Sequence, residues 1–133
     1  MDLDIKWQRH LVNFEKAFLR LQKATELNDY DELAQAGLIK TFEFTFELAW
    51  KTLKDLLEIK GYSEITPRDV IKRAFQSGYI QDGETWLDIL EKRNLMVHTY
   101  DETKAMEVIT LIKTRYFPEI RVTYSILKQL IVS

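Results

Sequence analysis

The chain of 133 residues is long enough to form one domain around one hydrophobic core. Hydrophobic residues make up 46% of the chain and charged residues 30%, proportions that fit a globular protein and exclude a disordered one. The absence of cysteine excludes disulfides and thiolate metal sites, and the net charge of −2 gives no overall attraction to nucleic acid. With only 4 glycines and 2 prolines, an all-β fold is disfavoured, so we expect a single all-α domain over residues 1–133.

The N-terminal sequence MDLDIKWQRH is charged and lacks the apolar stretch of a signal peptide. No apolar run approaches the roughly 20 residues that a transmembrane helix needs. We therefore expect a cytoplasmic protein that does not enter a membrane.

Apolar spacing predicts two long helices in the first half of the chain. The first spans about Ile5–Leu27, where apolar side chains recur three and four positions apart. The second spans about Glu32–Ile59, with Asp31 as its N-cap and Gly61 just beyond its C-terminal end.

The segment TFEFTFELAW, residues 41–50, has alternating apolar residues, which is the period of a β-strand. The wider window from residue 38 to residue 57 has apolar residues at helical spacing, without glycine or proline. We therefore predict a helix, in which Phe44, Leu48 and Trp50 lie on further faces. A helix that is apolar on several faces is buried in a bundle or contacts a second subunit.

Capping signals predict shorter helices in the second half. Thr66 caps a third, short helix that Gly78 ends. A fourth helix begins at Asp82 or Gly83 and stops near Val97.

A further capping box, formed by Thr99 and Glu102, predicts a fifth helix over about Tyr100–Tyr116. Pro118 then either kinks one long helix or begins a sixth. The fold expected is an up-and-down bundle of about five helices, one of them short.

The residues that remain as candidates for chemistry are those of RNLMVHTY, residues 93–100. Phosphate-binding and metalloprotease signatures are missing, and with two histidines and no cysteine we expect no metal site. On a continuous helix, Arg93 and His98 are separated by about 140° around the axis. They converge only if the helix ends between them, or if a symmetric dimer joins the pairs of two subunits. The other histidine, His10, is expected to have no chemical role.

Arg93 and His98 suit RNA cleavage without a metal. Histidine titrates near neutral pH, so it can take the proton from a ribose 2′-hydroxyl or donate one to the leaving oxygen. A guanidinium is a fixed, permanently charged fork that stabilises negative charge on phosphate oxygens. The alternative is a surface arginine paired with Glu91 or Asp88, next to a histidine near a helix end.

The pattern Arg93-x4-His98-x-Tyr100 resembles the RX4HXY motif of the HEPN superfamily, and in particular the branch of HepT-like toxins, or nucleotidyltransferase substrate-binding proteins. The segment FEFTFELAWK, residues 42–51, is similar to the second helix of that family, and residues 74–86 resemble the stretch before its motif. The likeness covers roughly residues 14–117.

This resemblance implies a homodimer whose two motifs form one cleft, and a metal-independent ribonuclease that acts as a toxin without a cofactor of its own. It also implies a partner, a minimal nucleotidyltransferase antitoxin that uses ATP to attach AMP to Tyr100. By the same resemblance, Arg93 and His98 are the catalytic residues, and Asn94 is a weaker candidate beside them. A second function fits the older family name, that of a non-catalytic module that presents a substrate or nucleotide to the same nucleotidyltransferase.

Two further sets of residues are supporting candidates. Glu43 and Glu47 lie four apart on one helical face, where they are either solvated or orient Arg93 or His98 across the bundle. Local basic residues are either solvated surface or the groups that hold an RNA backbone, and these are Arg68, Lys72, Arg73 and Lys92.

Overall fold

The computed structural model describes residues 2–98 and 102–132, with side chains at all of these except 94–98, 102, 103 and 132. The described part contains no β-strand, which confirms the all-α prediction. These residues form six α-helices, with a π-helical turn at Ile112–Tyr116 between the last two. The helices are α1 (Asp2–Thr25), α2 (Glu32–Ile59), α3 (Pro67–Gln76), α4 (Gly83–His98), α5 (Glu102–Leu111) and α6 (Phe117–Val132).

Local hydrogen bonds fix the starts of α2 and α3 where the sequence predicts them. The Asp31 carboxylate accepts from the Ala34 N–H at 2.8 Å, and the Thr66 hydroxyl accepts from the Asp69 N–H at 3.2 Å. Each satisfies a backbone donor that has no partner within the first turn. Gly61, with a φ of 93°, follows α2 in the left-handed conformation that glycine adopts most readily.

The helical interpretation of residues 41–50 is confirmed. Phe42 and Phe46, four positions apart, are 0% and 1% exposed, whereas Phe44 between them is 58% exposed. A strand would place all three on one face. Helix α2 therefore directs one apolar face into the core and leaves Phe44 on its outer side.

Helix α2 lies at the centre of the bundle, in contact with α1, α3, α5 and α6. The Phe46 ring packs against Trp86 of α4, with 5.7 Å between ring centroids, and the Phe42 ring stacks on Tyr116 at the same distance. The site-bearing helix α4 is thus anchored to α2 through a buried aromatic contact.

Helix α5 continues through the π turn into α6, so that the chain passes Pro118 without a break. The Phe117 N–H donates to the carbonyl of Ile112, five residues back. Proline lacks an N–H, and its ring would clash with the carbonyl four residues back in a regular α-helix. The wider turn immediately before Pro118 opens the space that the ring needs.

Candidate functional site

Arg93 lies on α4 and donates through Nη1 to Oε1 of Glu47 on α2. The other oxygen of the Glu47 carboxylate accepts from Nε1 of the buried Trp50 at 3.0 Å. Both charged side chains are partly exposed, at 29% for Arg93 and 38% for Glu47. A charge-assisted hydrogen bond at such a site fixes the guanidinium while leaving its other N–H groups accessible. The sequence allowed two interpretations of Glu47, a solvated carboxylate or a group that orients Arg93 or His98. The structure shows the contact with Arg93.

The alternative partners considered for Arg93 are not the ones it has. Asp88 instead accepts from Tyr116 Oη at 2.6 Å and from Arg115 Nη1 at 3.2 Å. It also lies 3.5 Å from Nζ of Lys92. Burial and the neighbouring Asp88 carboxylate raise the pKa of Tyr116 above its usual range. The sequence did not reveal this cluster, because the π turn that places Arg115 and Tyr116 against α4 has no clear signature.

His98 is the last residue of α4, one position beyond the predicted end. The fourth helix thus ends within one residue of the predicted position near Val97, so that both Arg93 and His98 belong to α4. Two positions five apart on one helix are separated by about 140°.

Several predicted features lie outside what the structure describes. The side chains of Asn94 and His98 are among them, as are Tyr100 and the Thr99 side of the capping box. Helix α5 begins at Glu102, the other member of that box.

Glu43 lies one turn before Glu47 and is half-buried. Burial raises the pKa of Glu43, Lys40 opposes the shift, and the Glu47 carboxylate adds to it. Among the described residues, no hydrogen bond joins Glu43 to Arg93. The two carboxylates of this face therefore have different surroundings, with Glu47 held by its partners and Glu43 partly desolvated.

We expect Glu43→Gln to raise the melting temperature at about pH 7.5 and to leave it unchanged at about pH 3.5. A raised pKa in the folded state means that stability falls as pH rises from the ordinary glutamate pKa through the folded value. Glutamine removes this loss. Thermal unfolding followed by circular dichroism at both pH values measures the effect.

Glu15 on α1 is the matched control, because hydrogen bonds from Lys128 and Tyr124 lower its pKa. The stability that the Glu15 carboxylate contributes is present above the ordinary glutamate pKa and is lost as pH falls. Glu15→Gln should therefore lower the melting temperature at neutral pH. A Glu43→Gln variant that is destabilised at about pH 7.5 in the same way would contradict the prediction.

Arg73, a candidate for holding RNA, is occupied within its own region. Its Nε donates to Glu64 Oε1 at 2.8 Å, and its Nη1 donates to Gln76 Oε1 at 3.1 Å. The guanidinium also lies 4.4 Å from the ring centroid of Tyr62. These contacts connect α3 to the loop before it, which is a structural role.

The other basic candidates divide into two kinds. Lys92 is adjacent to Arg93 in sequence and close to Asp88. Arg68 and Lys72 lie one turn apart on the exposed side of α3, and neither has an ion-pair partner within the described part of the chain. No described contact connects α3 with Arg93.

His10 has a partner that the sequence did not reveal. Its Nδ1 is hydrogen-bonded to Oδ2 of Asp55, whose side chain is 4% exposed. Nζ of Lys6 lies 3.4 Å from the other oxygen of Asp55. The cluster joins the N-terminal half of α1 to α2, and no described contact connects it with Arg93.

The described residues 2–98 and 102–132 lack both a metal-binding cluster and a membrane-spanning helix. No group of three or more histidine, aspartate or glutamate side chains there is arranged to hold a metal ion. None of the helices there combines the length and apolar character that a membrane span requires.

Comparison with known proteins gives one family and several relatives. Residues 9–129 match the family described as nucleotidyltransferase substrate binding protein like. A Haemophilus influenzae protein named Probable ribonuclease HepT is 35% identical over 78 residues, which are 55% of this chain and 53% of that protein. The chain thus matches about half the length of this curated relative.

Two solved structures share the fold. One, from Thermus thermophilus, has a TM-score of 0.74 and 30% identity, covering 88% of this chain and 98% of the other. The second is a Haemophilus influenzae protein described as having the fold of a substrate binding domain of a nucleotidyltransferase. It has a TM-score of 0.63 and 25% identity, covering 95% of this chain and 98% of its own.

Proposed function

Because the chain belongs to the nucleotidyltransferase substrate binding protein like family and is HepT-like, we propose that it is a metal-independent ribonuclease toxin subunit. The observation that carries this proposal is the Arg93 guanidinium, which Glu47 and Trp50 hold at a partly exposed position within the pattern Arg93-x4-His98. Similarity to a relative named as a probable ribonuclease supports it.

In the proposed reaction, His98 takes the proton from a ribose 2′-hydroxyl, and the resulting oxygen attacks the adjacent phosphorus. The bond from phosphorus to the 5′-oxygen breaks, and that oxygen receives a proton from a second acid. The products are a 2′,3′-cyclic phosphate and a free 5′-hydroxyl. Arg93 stabilises the charge that gathers on the phosphate oxygens, while Glu47 keeps its guanidinium in place.

One histidine cannot act as base and acid in the same step, so the proposal includes a homodimer. In a symmetric dimer, His98 of each subunit contributes one of the two proton-transfer groups, and the two Arg93 residues lie at one cleft. This arrangement also removes the need for Arg93 and His98 of a single helix to converge.

The proposal includes a minimal nucleotidyltransferase antitoxin as the partner, in keeping with the family description. The partner uses ATP to transfer AMP to Tyr100, in the cytoplasm where the RNA substrates are. A phosphodiester on Tyr100 adds negative charge next to the cleft, and this charge repels RNA phosphates. That repulsion is a physical reason why the modification inactivates the toxin.

The test is cleavage of RNA by purified protein in EDTA, with wild type compared with His98→Ala. We expect wild type to produce cyclic phosphate ends, and the folded variant to be slower by about 10²-fold or more. Circular dichroism shows whether the variant remains helical. If wild type cuts none of the RNAs offered, or His98→Ala cuts equally well, the ribonuclease assignment is wrong.

The alternative, a non-catalytic substrate-binding subunit, is favoured by the description of the related Haemophilus influenzae structure. Such a subunit would bind its nucleotidyltransferase and leave RNA intact in the same assay. An Arg93 site that has no role in cleavage would then serve to hold the substrate that the partner modifies.

A further inference from the structure

The outward side of α1 has an unusual repeating pattern. Its exposed aliphatic residues are seven positions apart, with Ile5 at 57% exposure, Val12 at 50% and Leu19 at 48%. Three exposed basic residues, also seven apart, lie between and beyond them. At about 100° per residue, all six lie within about 80° of the helix circumference. We name this surface the α1 stripe, and its members are Ile5, Arg9, Val12, Lys16, Leu19 and Lys23.

This stripe lies on the side of α1 that should be the most polar. The opposite side packs into the core through Trp7, Leu11 and Phe14, which are 5%, 2% and 0% exposed. A helix on the surface of a bundle usually presents polar residues outward. Single exposed aliphatic residues are ordinary, but here three of them recur at one heptad position, which is one of the two positions that form the seam between packed helices.

The basic residues of the stripe are free for a partner. Within the described part of the chain, Arg9, Lys16 and Lys23 have no side-chain hydrogen bond or ion pair. By contrast, Lys6 at one edge of α1 pairs with Asp55, and Glu15 at the other edge pairs with Lys128 at 2.7 Å. The positive stripe therefore stands out on a chain whose net charge is −2.

We propose that the α1 stripe is the docking face for an amphipathic helix of another protein, with aliphatic residues at seven-residue spacing and carboxylates between them. The aliphatic residues of the two helices would pack together, while the carboxylates would pair with the three cations. From Ile5 to Lys23 the stripe extends about 27 Å, so the partner helix has about five turns.

The same pattern disfavours other occupants. Two copies of the stripe would bring cations against cations, which penalises self-pairing. An RNA backbone would engage the cations but would leave the aliphatic row without a partner. None of the six residues contacts Arg93 or Glu47, so docking on α1 and cleavage of RNA are separately testable.

The probe is a synthetic peptide of about 21 residues with leucines seven apart and glutamates between them, compared with a scrambled peptide of the same composition. Fluorescence anisotropy with the full chain measures affinity, and circular dichroism measures helix formation in the peptide. We expect the patterned peptide to bind and become helical, and the scrambled one to bind about tenfold more weakly or worse.

Substitutions locate the binding site on the protein. Val12→Asp with Leu19→Asp, and separately Lys16→Glu with Lys23→Glu, should each weaken binding about tenfold or more. The matched controls change the same residue types elsewhere. Leu33→Asp, at a leucine that is 83% exposed on α2, and Lys60→Glu, after α2, should alter affinity by less than about twofold.

Several results would overturn the proposal. One is equal binding of the patterned and scrambled peptides, and another is binding that the α1 substitutions leave unchanged. If phosphatidylserine vesicles or a single-stranded RNA bind through the stripe residues while the peptide does not, the stripe is a membrane or RNA contact. A concentration-dependent dimer that Val12→Asp with Leu19→Asp abolishes would instead assign the stripe to self-association.

Discussion

Replacing Arg93 with alanine is expected to lower the rate of RNA cleavage by about 10²–10³-fold, with little change in stability. The guanidinium carries a permanent positive charge and is held in position by Glu47. Removing it takes away stabilisation of the charge that develops on phosphate. Single-turnover cleavage of a defined RNA measures the rate of the chemical step.

Graded variants separate charge from geometry at the same site. Arg93→Lys keeps the charge but loses the planar fork, so it should recover only part of the rate. Glu47→Gln keeps an oxygen that can accept from Trp50 at the observed 3.0 Å but removes the charge that holds Arg93, so we expect a loss of about tenfold. These losses should appear mainly in the rate constant for chemistry, because Glu47 acts through Arg93.

Arg20→Ala is the control, because it removes one positive charge at an exposed position on α1. Its cleavage rate should remain within about twofold of wild type. If Arg93→Ala behaves like Arg20→Ala, Arg93 does not stabilise the transition state, and the Glu47 contact is structural only.

Phe46→Ala should destabilise the fold by about 3–5 kcal/mol. The Phe46 ring is 1% exposed and packs against Trp86, itself fully buried, with 5.7 Å between ring centroids. Alanine would leave a cavity between α2 and α4, at the contact that anchors the helix bearing Arg93. Urea unfolding monitored by circular dichroism gives the change in the free energy of unfolding.

Phe44→Ala, two positions away on the same helix, is the matched control. Because Phe44 is 58% exposed, its loss should change the free energy of unfolding of the monomer by less than about 1 kcal/mol. Equal destabilisation by the two substitutions would contradict the orientation of α2. It would instead favour the strand interpretation of the alternating apolar residues in 41–50.

The features that the sequence predicted well are those that depend on neighbouring residues. Asp31 and Thr66 bond to N–H groups three residues later, so their roles follow from the sequence immediately around them. The burial of Phe42 and Phe46 on one face of α2 likewise follows from their spacing of four residues in the sequence. Composition and capping signals were therefore enough for the fold class and most helix bounds.

The features that the sequence did not determine depend on packing between distant residues. Arg93 and Glu47 are 46 positions apart, and the sequence favoured a solvated carboxylate over the contact that is observed. Asp88 was one of two alternative partners for Arg93, because it is nearby on α4, whereas two of its observed partners come from 27 and 28 positions away, in the π turn.

A π turn rotates everything beyond it around the helix axis, because it takes up more residues per turn than an α-helix. The buried residues at 105, 109, 112, 116, 120, 123 and 127 keep a regular spacing of three and four. Yet α5 packs against α2, whereas α6 packs against α1 as well as α2. The same row of buried residues therefore packs against different neighbours before and after the π turn.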